Sequence, residues 1–282
     1  MKKPFLLVAP AQALVALFLF VPALYVVWLS LNESTFGRDN VFVGFANYGK
    51  LLSDPYFWRA FWNTFVLVNV LVYVELGLGI AIAMLFASGL PLTKLMVALI
   101  FIPYATSEVV AIVMVKYLVD PQVGMATLAL RGVGLPTIDL VNPLHSFSLV
   151  LLVSTWQHLP FTFILLYTAR IGIPPDLYEA AQLDGARPFQ IFRTITFRLL
   201  MPAILVALLF RYIFAFRIFS EVWLLTQGGP ARMTEVLAVY LYRVAFRYQE
   251  FGLASATGWT MVLLSLLVSV FYLRAMYRRM FA

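Results

Sequence analysis

Seven ionisable side chains interrupt stretches that are otherwise apolar: Glu75, Glu108, Lys116, His158, Arg211, Arg217 and Glu221. Charge is expensive inside a bilayer, so such groups mark solute pathways, proton relays or buried pairs. Their spacing narrows the choice. Arg217 and Glu221 are four residues apart, which on a helix favours mutual neutralisation. Glu108 and Lys116 stand toward one end of their segment and can snorkel to the interface. Glu75 lies beside Gly77 and Gly79, and small residues let a neighbouring helix approach, so it is expected to meet protein rather than solute. Catalysis is excluded on inventory. There is no cysteine, His145 and His158 are the whole histidine complement, and neither H-E-x-x-H nor a usefully spaced carboxylate pair is present. No catalytic or metal-ligating residue is therefore assigned.

The elements that must hold these groups follow from composition. Of 282 residues, 63% are hydrophobic and 12% charged, with mean hydropathy +0.92. A soluble domain carries about 25% charged residues, so most of this exterior must face lipid. Apolar runs of about 20 residues, the length of a bilayer-spanning helix, recur along the chain. Six spans are expected, Phe5–Leu31, Trp62–Ala87, Leu95–Val119, Ser148–Arg170, Leu200–Thr226 and Leu253–Tyr272, in one all-α membrane domain covering residues 1–282. Continuous runs such as LVALLFRYIFAFRIF lack the alternation of a β-barrel strand. The first run, with Lys2 and Lys3 before it and an A-x-A at Ala11–Ala13, opens like a secretory signal, but its apolar length makes it an uncleaved span.

The net charge of +7 is spread over loops instead of forming one basic face with stacking aromatics, so nucleic acid is excluded as a partner and topology explains the cations. Lys2, Lys3, Lys94, Arg170, Arg187, Arg193, Arg198, Arg274, Arg278 and Arg279 fall on one side of the six spans. Arg38, Lys50, Arg59, Arg131, Arg232, Arg243 and Arg247 fall on the other. The positive-inside bias then places both termini, and the segment around Glu179, in the cytoplasm. Gly44, Gly49 and Lys50 have the spacing of a phosphate loop. Leu51 stands where Ser or Thr must bind magnesium, and bulky Phe45 and Tyr48 replace small residues, so ATP binding by that route is not expected.

One polar stretch stands apart, EAAQLDGARPFQIFRTITFRLLMPA from Glu179. Pro174 and Pro175 end the fourth span, and Pro175 with Asp176 and Glu179 suits the first turn of a new helix. Gly185 suits its stop. Leu177, Ala180, Ala181 and Asp184 share a face whose central alanines permit close approach. Pro188 starts a second helix with Phe189, Phe192 and Ile195 on one stripe, so residues 173–199 form a cytoplasmic hairpin. From the residues alone, this hairpin is either an amphipathic connector on the headgroups or a docking knob for a partner.

Glu179, Ala180, Ala181, Gly185 and Ile195 stand in the register of the E-A-A, three residues, G, nine residues, I-x-L-P signature of ABC importer permeases. With LIFIPYATSEVV, the W-Q-H-L-P-F from Trp156 and the L-T-Q-G-G-P from Leu225, the chain resembles the carbohydrate-uptake group of that family over nearly its whole length. Phe197 and Arg198 replace the usual L-P, so the helix is expected to run unbroken to Pro202. The C-terminal YLRAMYRRMFA resembles the maltose-F or glycerophosphate-A type of subunit.

The resemblance implies a type I importer transmembrane domain in a bacterial cytoplasmic membrane. It implies a second, different permease subunit, two cytoplasmic ATPase subunits that bind ATP and Mg, and an extracytoplasmic solute-binding protein. No cofactor is expected in this chain. Glu179, Ala180, Ala181, Asp184 and Gly185 would sit in a cleft of an ATPase. Counted from that anchor, the sugar-lining positions fall on Gln157, His158, Phe161, Arg211, Phe214, Ala215 and Ile218. The last four also share a helical face at i, i+3, i+4 and i+7. The competing expectation is an ion- or proton-coupled carrier that uses Glu75 and Glu108 as relay acids.

Overall fold

The computed structural model describes residues 3–281, with backbone alone for residues 3–7, 272 and 275–281. Lys2 and the side chains of Lys3, Arg278 and Arg279, counted above for orientation, lie outside this description. The chain order is α1 (Lys3–Ser30), β1 (Asn32–Glu33), β2 (Val41–Phe42), α2 (Ala46–Ser53), α3 (Pro55–Phe86), α4 (Thr93–Ala105), α5 (Glu108–Leu118), α6 (Met125–Gly132) and α7 (Pro143–Ile171). It continues with α8 (Asp176–Leu183), α9 (Pro188–Ile191), α10 (Phe197–Ala215), α11 (Ser220–Leu225), α12 (Leu237–Tyr242) and α13 (Phe251–Phe281).

Among the described residues five helices are individually long and apolar enough to cross a membrane, or six if the bent pair α4 and α5 counts as one span. The expected straight span Leu95–Val119 is instead α4 and α5, bent by 91°. At the break Thr106 and Ser107 are extended, and the Thr106 hydroxyl donates to the Pro103 carbonyl at 2.7 Å. A short hydroxyl side chain that bonds the backbone in this way competes with helix continuation.

The expected span Leu200–Thr226 is also divided. Its helix starts at Pro188 and ends at Ala215. There the amides of Arg217 and Ile218 reach back three residues, to Phe214 and Ala215, instead of four. Such tightening is a common way to close a last turn. Within that helix α9 passes into α10 through a π-turn at Phe192–Thr196, immediately before Phe197 and Arg198. The helix continues through Pro202, so the substituted L-P position carries no break.

One compact unit comprises the chain up to Ala60 together with Leu237–Leu264. Its strands pair antiparallel with Asn32 opposite Phe42, a small sheet in an otherwise helical chain. Buried Asn47 secures it, donating to the carbonyls of Ser30 at 2.8 Å and Asn32 at 2.9 Å. Asp54 accepts the Tyr56 amide at the start of α3 at 2.8 Å and the Tyr240 hydroxyl at 2.7 Å. Gly49 and Lys50, of the phosphate-loop spacing, are inside α2 and form no loop.

The other unit comprises Phe61–Val236 and the chain from Ser265 onward. α7 starts where the sequence punctuates it: the Asn142 side chain accepts the Leu144 amide at 2.9 Å and Pro143 takes the first turn. Around α7 the core gathers Leu71, Val72, Phe86, Phe163, Leu166, Leu200 and Ile204, with the rings of Phe86 and Phe163 edge-on at 5.1 Å. At Gly79 α3 packs closely on α7, since a Cβ there would lie 2.9 Å from Thr162 Cγ2. Gly79→Leu is therefore expected to push the helices apart at a cost of about 1–3 kcal/mol. Thermal unfolding in detergent checks this, and a parental midpoint would contradict it.

Candidate solute cavity and coupling surface

A cavity of about 370 Å³ opens between α4, α5, α7, α10 and α11. His158 and Phe161 reach it from α7, Arg211, Phe214 and Ala215 from α10, and Ile218 from the turn beyond α10. Six of the seven positions expected to line a solute route thus border one cavity. Ile218 arrives there although the helical register that pointed to it ends at Ala215. Gln157 does not line the cavity. One residue from His158, it is turned about 100° around α7, and is buried with its Oε1 unpartnered.

Arg211 is not a free cation. Its Nη2 donates to Glu75 Oε1 at 2.7 Å and its Nε donates to the other carboxylate oxygen. Both residues are buried, so the guanidinium fork meets a carboxylate in the geometry that makes this pair strong. Two of its five N–H donors are used there. One residue on, the Tyr212 hydroxyl donates to Asn69 Oδ1 at 2.7 Å, a second tie between α10 and α3.

Elsewhere in the lining, Ser154 Oγ donates to Glu221 Oε1 at 3.0 Å. Glu221 thus takes its hydrogen bond from α7 and not from Arg217, which stands in the turn where no helical i+4 neighbour exists. His158 Nδ1 lies 2.9 Å from the Ser154 carbonyl; donating there places the ring proton on Nδ1 and leaves Nε2 as an acceptor. Lys116 Nζ caps the end of α11 through the Leu224 carbonyl at 2.7 Å, a favourable place for a cation. Glu108, in the first turn of α5, faces the same cavity. Phe161 stands among Tyr104, Phe210 and Phe214, with centroids 6.2–6.5 Å apart. The wall can therefore offer aromatic faces to C–H patches and carboxylate, imidazole and hydroxyl groups to hydroxyls.

Tyr104, Ser154, Phe219 and Ser220 also line the cavity and were not singled out from sequence. Ser154 had a signal, four residues before His158 on α7. Phe219 and Ser220 had none, because they depend on the break after Ala215. Among the described residues no group of three His, Asp or Glu side chains is placed to hold a metal ion.

A second surface lies on α8, where no residue is buried. Glu179, Ala180, Asp184 and Gly185 are exposed and Ala181 is half-buried. The helix ends with the amides of Gly185 and Ala186 bonding the carbonyls of Gln182 at 3.0 Å and Ala181 at 2.9 Å. This Schellman closure needs a left-handed residue, which Gly185 supplies at φ +75°.

Residues 75–281 match the family described as binding-protein-dependent transport system inner membrane component. The chain belongs to this family. It is 31% identical to the trehalose/maltose transport system permease protein MalF of Thermococcus litoralis, over 97% of this chain and 93% of that protein. It is 30% identical to the sn-glycerol-3-phosphate transport system permease protein UgpA of Yersinia pseudotuberculosis, over 98% of this chain and 95% of that one. The fold resembles a bacterial ABC transporter involved in the import of the acidic polysaccharide alginate, with TM-score 0.86, 24% identity, and coverage of 98% of this chain and 96% of that chain.

As an inner membrane component of a transport system, the chain is a multi-pass permease subunit. Glu75, the first acid of the carrier alternative, is occupied by Arg211.

Proposed function

We propose that this chain is one of two different permease subunits of an ATP-driven importer, and that its cavity forms part of the route of a sugar or sugar derivative. The supporting observation is the one cavity that unites His158, Phe161, Arg211, Phe214, Ala215 and Ile218. Relatives whose names carry trehalose, maltose and glycerol phosphate point to the same solute class. The importer works by alternating access. Its solute arrives on an extracytoplasmic binding protein, and ATP and Mg are held by two cytoplasmic ATPase subunits, so this subunit itself catalyses nothing.

Glu179, Ala180, Ala181, Asp184 and Gly185 form the docking face for one ATPase. That places α8 and both termini on the cytoplasmic side of a bacterial inner membrane. The small side chains permit close packing, and the closed end of α8 makes the knob stiff enough to pass on a displacement.

Phe161→Ala and Phe214→Ala test the route. Each removes an aromatic face from the wall, and stacking or C–H contact of this kind contributes roughly 1 kcal/mol, so uptake by cells expressing the whole transporter is expected to show a KM raised about fivefold or more. Parental kinetics for both variants would place the route elsewhere.

A further inference from the structure

We infer that Tyr178 is the positioning residue through which displacement of α8 reaches α7 and α10, two of the helices lining the cavity, an inference that rests on the coupling role proposed for α8. α8 is an exposed helix, and Tyr178 is one of its few half-buried residues. Its ring is gripped from two directions. The Arg170 guanidinium, in the last turn of α7, lies over the ring at 4.1 Å from the centroid. The hydroxyl meets Thr196 Oγ1 at 3.1 Å, and Thr196 is fully buried at the end of the π-turn that leads into α10.

Tyr178 packs against the core around α7 and borders a cavity of about 580 Å³ beside Met84 and Phe192, so the two polar contacts add direction to a ring that packing already holds. Arg170 Nε is buried without a hydrogen-bond partner, which leaves the aromatic face as the hold the structure records on this guanidinium. Cation–π contacts strengthen as the cation is desolvated. The consequence is mechanical. A movement of α8 pulls on α7, which carries His158 and Phe161, and on α10, which carries Arg211 and Phe214, through one side chain.

The cysteine-free chain permits a direct test in the assembled transporter, reconstituted into phosphatidylcholine vesicles. Ser220→Cys, on the cavity wall, is labelled with a fluorescent maleimide with and without ATP and vanadate, and the ratio of the two labelling rates is the readout. A several-fold ATP-dependent change is expected in the Ser220→Cys parent. Tyr178→Ala is expected to bring that ratio close to one while ATP hydrolysis continues, a coupling loss within the ordinary range. Tyr178→Phe keeps the ring under Arg170 and loses the hydroxyl, so it is expected to fall between, at about half the parental ratio. Arg170→Gln should weaken the response in the same direction.

Parental responses in Tyr178→Phe and Arg170→Gln overturn the inference even if Tyr178→Ala does not assemble. An absent response in the Ser220→Cys parent overturns the coupling role of α8 itself, and the two failures are thereby distinguished.

Discussion

Glu75→Ala is expected to cost the folded protein more than Arg211→Ala, although the two residues share one ion pair. Removing Glu75 leaves a buried guanidinium, which cannot give up its proton, without a counter-charge. Removing one partner of a buried pair costs about 3–5 kcal/mol. Removing Arg211 leaves a carboxyl that can take up a proton and become neutral, so the penalty is smaller. The paired replacement Glu75→Met with Arg211→Met should recover much of the stability, since buried pairs are often exchangeable for apolar groups of similar volume.

Uptake should not recover with it. Arg211 faces the cavity as well as Glu75, and methionine offers no donor to a hydroxyl. Thermal unfolding in detergent and uptake by whole cells separate the two effects. Equal midpoints for Glu75→Ala and the parent would contradict the pair's structural role. Full uptake by the double variant would remove Arg211 from the route.

Gly185→Arg is expected to leave the protein in the membrane at parental abundance and to cut uptake by about tenfold or more while ATP hydrolysis continues. The space is open, since nothing lies within 4 Å of a Cβ built at this position, so no packing within the chain resists the side chain. The backbone does: φ is +75°, and the left-handed region costs an ordinary L-residue roughly 1–2 kcal/mol. A long cation also projects from the docking face. Gly185→Asn distinguishes the two causes, because asparagine tolerates this conformation and is short. Near-parental uptake in Gly185→Asn with loss in Gly185→Arg is the predicted pattern. Unchanged uptake in Gly185→Arg would contradict the docking role.

The features legible in the sequence were those set by local physics. Apolar length gave the membrane-crossing helices, and Gly185 and Pro175 gave the limits of α8 to within a residue or two. What escaped depended on tertiary structure or on backbone breaks without glycine or proline at the break. Hydropathy is blind to the bend at Thr106–Ser107, because both arms are apolar. Arg217 and Glu221 invite pairing at i and i+4, but that spacing has meaning only on a continuous helix, and the helix ends at Ala215.

Glu75 and Arg211 are 136 residues apart. The glycines near Glu75 signalled a close helix contact, and Gly79 does meet α7, but nothing local could name Arg211 as the partner of Glu75. The candidate lining emerged from the resemblance and from helical spacing together, and Gln157, one residue's rotation from His158, is the one of the seven that does not border this cavity. The substituted Phe197–Arg198 position proves to be uninterrupted helix directly after a π-turn. Neither π-turns nor their positions can be read from side-chain pattern.

The most direct test is uptake by vesicles that hold this chain, its partner permease and the ATPase subunits, with the solute-binding protein outside. The account predicts uptake that requires ATP at the ATPase side and the binding protein on the other, and that persists when an ionophore collapses proton and sodium gradients. Uptake that needs no ATP and stops with the ionophore would contradict it and restore an ion-coupled carrier.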